Sequence, residues 1–226
     1  MKGLFLLLLV SVASAQPRMS VEGYARLRTV KIMCTYTSIH PLFGRFSDSK
    51  QGTGVFVGDN LIITEHHVIE GCQSIYVLKP QQTNPQEAVI LSSCPVRDLA
   101  LVSLVTKEEN NAVAILEPDF AIGDKVVTIG NPNGPDFEAS KSKITGVGLT
   151  VVSKDSARFV INLDCGRIRG GYSGGGIFSL RTGGLLGLIE KTWISGEYCT
   201  AEAIKAEEIA LFTAKYYSAH GLKEKK

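Results

Sequence analysis

Histidine is scarce in this sequence, long apolar runs are nearly absent, and charge of neither sign dominates. Only four of 226 residues are histidine: His40, His66, His67 and His220. With 24 basic and 22 acidic side chains the formal net charge is +2, too small to argue for nucleic acid or an anionic membrane as partner. The five cysteines include no close C-x-x-C pair, so a thiolate zinc site has no support, and no cofactor is expected. Internal repeats and low-complexity segments are missing too. What remains is 44% hydrophobic and 20% charged, the balance of a chain with a sizeable core. The length is compatible with one large all-β domain or two small ones.

The single sustained apolar run lies at the N-terminus. Lys2 supplies a positive start, residues 4–12 are apolar, and Ala13-Ser14-Ala15 is a small-residue cleavage site. That is the pattern of a secretory signal peptide over residues 1–15, with Gln16 the expected first mature residue. The run is too short to span a bilayer comfortably, and no cysteine follows the cleavage site to carry a lipid. The expectation is a secreted or periplasmic protein without a membrane anchor once the signal is removed. Export permits disulfides, and an odd cysteine count leaves at least one thiol outside any intramolecular pair. Cys165 with Cys199, which bracket a glycine-rich segment, and Cys72 with Cys94 in the other half are the candidate bridges.

Strand signals dominate the rest. Residues 28–37 alternate and are rich in β-branched side chains. A hairpin follows over residues 52–64, turning at Asp59-Asn60, and the segment 65–71 reads as one helical turn. Further strands are expected at 74–78, 87–91 and 99–104, and, after a polar connector at 107–111, at 125–129, 143–152, 158–163, 176–180 and 185–191. The breaker-rich run 130–135 must be a loop. Only at 207–218 does the apolar spacing become helical. Many short strands separated by turn residues indicate antiparallel sandwiches or barrels.

Among the turns, Gly170-Gly171-Tyr172-Ser173-Gly174-Gly175-Gly176 stands out. Glycine tolerates positive φ and close backbone approach, so such a turn can expose the Ser173 hydroxyl and aim backbone N–H groups into one pocket. Those are the needs of acyl transfer. A flexible glycine hairpin is the bland alternative, and a serine nucleophile needs a base and a carboxylate elsewhere. His66 and His67 stand at a strand-to-helix corner. Asp98 stands at the mouth of the apolar run 99–102.

Residues 63–69, Ile-Thr-Glu-His-His-Val-Ile, resemble the T-x-x-H-V histidine motif of trypsin-like serine peptidases. Arg97-Asp98-Leu99-Ala100-Leu101 resembles their aspartate motif, and Gly171-Tyr172-Ser173-Gly174-Gly175 their G-x-S-G-G serine motif. The compact spacing and the run Ile129-Gly130-Asn131-Pro132 are most similar to the bacterial high-temperature-requirement branch. The likeness covers roughly residues 30–208. It implies an all-β fold of two antiparallel six-stranded β-barrels with a C-terminal α-helix and an active site in the cleft between the barrels. The implied division is a leader at 16–29, barrels at 30–115 and 116–205, and a helix with a charged tail at 206–226.

By the same resemblance His67, the histidine directly before the motif valine, is the general base, Asp98 orients it, and Ser173 is the nucleophile. The backbone N–H groups of Gly171 and Ser173 form the oxyanion hole. Protein or peptide substrates are implied, and the specificity pocket falls on Arg167, Glu190, Lys191 and Thr192, whose cations would favour acidic side chains. Two departures matter. Tyr172 replaces the aspartate that pairs with a newly cut N-terminus in the digestive enzymes, and no I-V-G-G-type start precedes it, so zymogen activation of that style is not expected. The chain also stops after its helix, where the high-temperature-requirement branch usually carries a PDZ module. A catalytically silent binding protein on the same fold is the alternative from another class. An α/β-hydrolase would need alternating helices and the order Ser, Asp, His.

Overall fold

The computed structural model describes residues 19–42, 44–106, 111–132, 136–153, 156–164, 166–195 and 198–221. The signal-like segment therefore lies outside the described residues. Six strands, β1 (Thr29–His40), β2 (Gly44–Phe56), β3 (Leu61–Thr64), β4 (Ser74–Leu78), β5 (Gln86–Cys94) and β6 (Leu99–Leu104), close a first antiparallel barrel in the order β1-β2-β3-β6-β5-β4. Six more, β7 (Lys125–Gly130), β8 (Glu138–Ser153), β9 (Ser156–Asp164), β10 (Gly176–Ser179), β11 (Leu185–Ser195) and β12 (Tyr198–Lys205), close a second in the order β10-β11-β12-β9-β8-β7. Three α-helices, α1 (Val21–Arg28), α2 (His66–Ile69) and α3 (Ala206–Ala219), and a 3₁₀ turn at Pro95–Arg97 complete the described elements. None of them is long and apolar enough to cross a membrane.

Successive side chains of a strand face opposite ways, and β6 shows why its sequence is apolar almost without a break. Ala100, Val102 and Leu104 fill the first barrel, while Leu99 and Leu101 face a separate core shared with the second barrel. Strand β7 does the same from the other side, with Val126 inside its own barrel and Val127 and Ile129 in the shared core. Ala25 of α1 and Ile209 and Phe212 of α3 seal that shared core. The connector zips the barrels together: the Ala114 N–H donates to the Phe56 carbonyl at 2.8 Å and the Glu117 N–H to the Leu185 carbonyl at 2.9 Å.

Three expectations need correction. The leader at 16–29 contains α1, started by Ser20, whose hydroxyl accepts from the Gly23 N–H at 3.1 Å, and braced by the Glu22–Arg26 ion pair one turn apart. Strand β12 was absent from the strand signals. Its small buried residues Ala201 and Ala203 carry no β preference, and it exists because it fills the gap between β9 and β11. Finally, Cys72 does not pair with Cys94. Because β4 pairs with β1 so that Cys34 lies opposite Ile75, Cys72 just before β4 is brought to Cys34, with Cα atoms 5.4 Å apart, and the two form a disulfide. By chain entropy a bridge across this separation stabilises by up to about 4 kcal/mol. Cys94 is free and half-buried. Cys199 is disulfide-bonded; Cys165, its candidate partner, lies outside the described residues.

Candidate active site

The histidine pair sits where β3 ends and α2 begins. Lys50 of β2 steadies this corner, its ammonium donating to the carbonyls of His67 at 2.8 Å and Glu70 at 2.7 Å. The two imidazoles diverge. His66 Nδ1 meets Ser93 Oγ at 2.6 Å, whereas His67 turns to Asp98. Asp98 ends the 3₁₀ turn Pro95–Arg97 in the left-handed region, at φ 51°, a conformation that aspartate tolerates better than most residues. That twist lets its carboxylate take His67 at two points: Oδ1 accepts the backbone N–H at 2.9 Å, and Oδ2 lies 2.7 Å from Nδ1. The neighbouring Arg97 pairs with Glu208 of α3, so the C-terminal helix anchors the loop that presents Asp98.

Ser173 stands in the turn between β9 and β10. The Tyr172 N–H donates to the Arg169 carbonyl at 3.1 Å, with Gly171 at φ +92° in the third position. This is the signature of a type II turn. A side chain at Gly171 would meet the Pro132 backbone at 2.4 Å. Among the described residues neither the Gly171 nor the Ser173 N–H donates to an acceptor. Ser173 Oγ donates to the Glu190 carbonyl at 3.4 Å and makes no hydrogen bond to His67. The two motifs nonetheless meet over Gly52, where a Cβ would lie 2.7 Å from the Val68 methyls and 3.2 Å from the Ser173 carbonyl.

The residue that ties the halves together is one that no motif pointed to. Thr53, fully buried on β2, donates its N–H to the Ser173 carbonyl at 2.8 Å and its hydroxyl to the Gly171 carbonyl at 2.7 Å. The same hydroxyl accepts the Asn131 N–H at 3.1 Å, and the Thr53 carbonyl accepts from Thr64 Oγ1 at 2.7 Å. One threonine thus links the strand before His67 to the turn around Ser173. The glycines on either side of it in the sequence were the available signal.

The arrangement suits acyl transfer: an oriented imidazole on one barrel, and on the other a hydroxyl beside two unengaged backbone N–H groups. Residues 52–188, more than half of the chain, match the family model of the trypsin-like peptidase domain. The chain belongs to this family. Among the relatives of the peptidase domain, the magnetosome formation protease MamE of Magnetospirillum gryphiswaldense is 30% identical over 128 residues, 55% of this chain and 17% of that protein. The chain thus spans less than a fifth of the length of the first curated relatives it matches. An HtrA-type protease, AlgW, solved with a decapeptide, superposes with a TM-score of 0.75 at 21% identity, over 89% of this chain and 66% of that one. The M. tuberculosis protease Rv3671c in its active form gives 0.72 at 22% identity, over 96% and 93% of the two chains. At those identities the likeness is one of fold.

Of the four expected pocket residues, Glu190 offers its carbonyl to Ser173 Oγ at 3.4 Å and adjoins Lys191 and Thr192 on β11. Arg167 lines an open cleft of about 1010 Å³ with Arg26, Lys141 and Arg169, opposed by Glu22 and Glu138. Lys191 is paired with Glu202 at 3.2 Å and lies near Glu190 at 3.9 Å, and Thr192 pairs with Ala201 of β12.

Tyr172, beside Ser173, is fully buried, its ring packed against Gly130, where a Cβ would lie 2.4 Å from the ring. Burial pushes the phenol above its ordinary range, and the nearby Glu138 carboxylate adds to the effect. The hydroxyl meets no hydrogen-bond partner among the described residues. Tyr172→Phe should therefore stabilise the fold by about 1 kcal/mol. It should also remove the stability loss that begins as pH rises past about 10, where the unfolded phenol ionises and the buried one does not. Thermal melts of both proteins at pH 7 and at about pH 10.5 check this.

Proposed function

We propose that the protein is an exported serine endopeptidase that cleaves protein or peptide substrates through an acyl-enzyme. The observation that carries this reading is the two-point hold of Asp98 on His67. With Nδ1–H donated to Asp98, Nε2 keeps its lone pair and can accept the Ser173 proton as Oγ bonds to the scissile carbonyl carbon. The oxyanion that forms lies within reach of the Gly171 and Ser173 N–H groups; each such donor contributes on the order of 10²–10³ in rate. Collapse breaks the C–N bond, and His67 returns the proton to the leaving amine. Water, activated by the same nitrogen, then releases the acyl group from Ser173. Catalytic hydrogen bonds commonly tighten only when substrate binds, so the Ser173–Glu190 bond is compatible with this sequence of steps. The signal-like N-terminus and the disulfide-bonded cysteines support export.

One observation favours the second reading, a binding protein that has lost catalysis: Ser173 Oγ bonds to a carbonyl and not to His67. Labelling with a fluorophosphonate probe separates the two. The wild-type chain should label covalently while Ser173→Ala and His67→Ala do not. A folded wild-type chain that stays unlabelled would leave the binding-protein reading in place.

A further inference from the structure

Glu65, two residues before His67, plays no part in the steps above. It joins β3 to α2, and its side chain is fully withdrawn from solvent. Its Oε2 lies 3.7 Å from His67 Nε2, the ring nitrogen that Asp98 does not hold. One ligand atom from each of Glu65, His67 and Asp98 falls within 4.8 Å of the others.

This spacing is near that of two donors on one metal ion. Two zinc–ligand bonds of about 2.1 Å at a tetrahedral angle hold their donor atoms roughly 3.4 Å apart, so a small movement of either side chain closes the bite. A carboxylate on the far nitrogen is the usual outer support of a metal-binding histidine, since it fixes the tautomer and the ring plane. A carboxylate kept from water gains from a cation brought beside it. The imidazole edge is reachable, because the His67 side chain is 44% exposed.

We propose that His67 Nε2 and Glu65 form an inhibitory site for a divalent transition ion of the zinc type, oriented by Asp98. Mixed imidazole and carboxylate donors suit zinc, whereas magnesium and calcium take oxygen ligands. The ion takes the lone pair that would accept the Ser173 proton, and no other bond changes. The inhibitory consequence rests on the peptidase reading; the site itself does not.

Two measurements on the full chain test this. In Ser173→Ala, which cannot turn over substrate, zinc is titrated against a chromophoric chelator. One ion per chain is expected, bound at least tenfold more weakly when Glu65→Gln is added and not at all when His67→Ala is added. In the wild-type chain, zinc should slow fluorophosphonate labelling, EDTA should restore it, and magnesium should do neither. Zinc affinity unchanged by Glu65→Gln overturns the proposal, as does undiminished labelling at millimolar zinc. If Glu65→Gln folds poorly, cobalt(II) decides on the Ser173→Ala chain: tetrahedral visible bands support the site, and their absence sinks it. Zinc bound through Glu65 and His67 in a chain whose wild type never labels would leave the metal site standing and end the peptidase reading.

Discussion

Replacing Asp98 by asparagine should slow fluorophosphonate labelling by about four orders of magnitude while leaving the fold intact. The reason is a tautomer. Asparagine presents an N–H donor where Oδ2 now meets His67 Nδ1, so the ring keeps its lone pair at Nδ1 and carries its proton on Nε2. A protonated Nε2 cannot take a proton from Ser173. The grip on the His67 backbone N–H survives, because the amide oxygen can replace Oδ1. The left-handed conformation of residue 98 suits asparagine as well as aspartate. Folding should thus change little, and the rate of labelling beside a thermal melt checks both halves. Labelling within tenfold of wild type would remove Asp98 from the mechanism.

The second large effect is expected of Gly174→Ala. Gly174 has φ +78°, and a Cβ there would lie 2.1 Å from the Thr53 carbonyl oxygen and 2.5 Å from Thr64 Oγ1. Neither group can yield easily, since they bond to each other between the neighbouring strands β2 and β3 and Thr53 also holds the Ser173 turn. One methyl group therefore pries the Ser173 turn off the other barrel. The combined strain places the substitution among the rare ones that cost more than about 4 kcal/mol. Gly170→Ala is the control: φ there is not positive and nothing lies within 4 Å of its Cβ. It should stay within about 0.5 kcal/mol of wild type. Chemical denaturation of both variants measures the contrast, and a Gly174→Ala protein as stable as the control would contradict the packing described for this turn.

The parts of the fold legible in the sequence were those whose residues answer to a local rule. Strands β3, β4 and β6 carry buried side chains in a pattern set by which faces are covered, and the expected bounds agree with the observed ones. Helix α3 shows its period because one face seals the shared core. Residues 44–51 of β2 are polar and largely exposed, and they are extended because β1 pairs with them along its whole length, a cause that local pattern does not contain. Strand β12 is similar: Tyr-Cys-Thr-Ala-Glu-Ala-Ile-Lys reads as ambivalent until β9 and β11 flank it. At the candidate site, the pairing of His67 with Asp98 was legible because its chemistry restricts the residue type. Thr53 and Glu65 were not, since each matters through what another part of the chain places beside it.

The tie between Arg97 and Glu208 bears on the order in which the molecule is made. Chains emerge from the ribosome N-terminus first, and units fold as they appear. When Ser173 has emerged, three strands of its barrel, β10, β11 and β12, and the helix that grips the Asp98 loop are still to come. A partly synthesised chain therefore carries all three motif residues without the frame that aligns them. Alignment of the three motif residues thus waits for the segment Tyr198–Ala219, which is made after all of them.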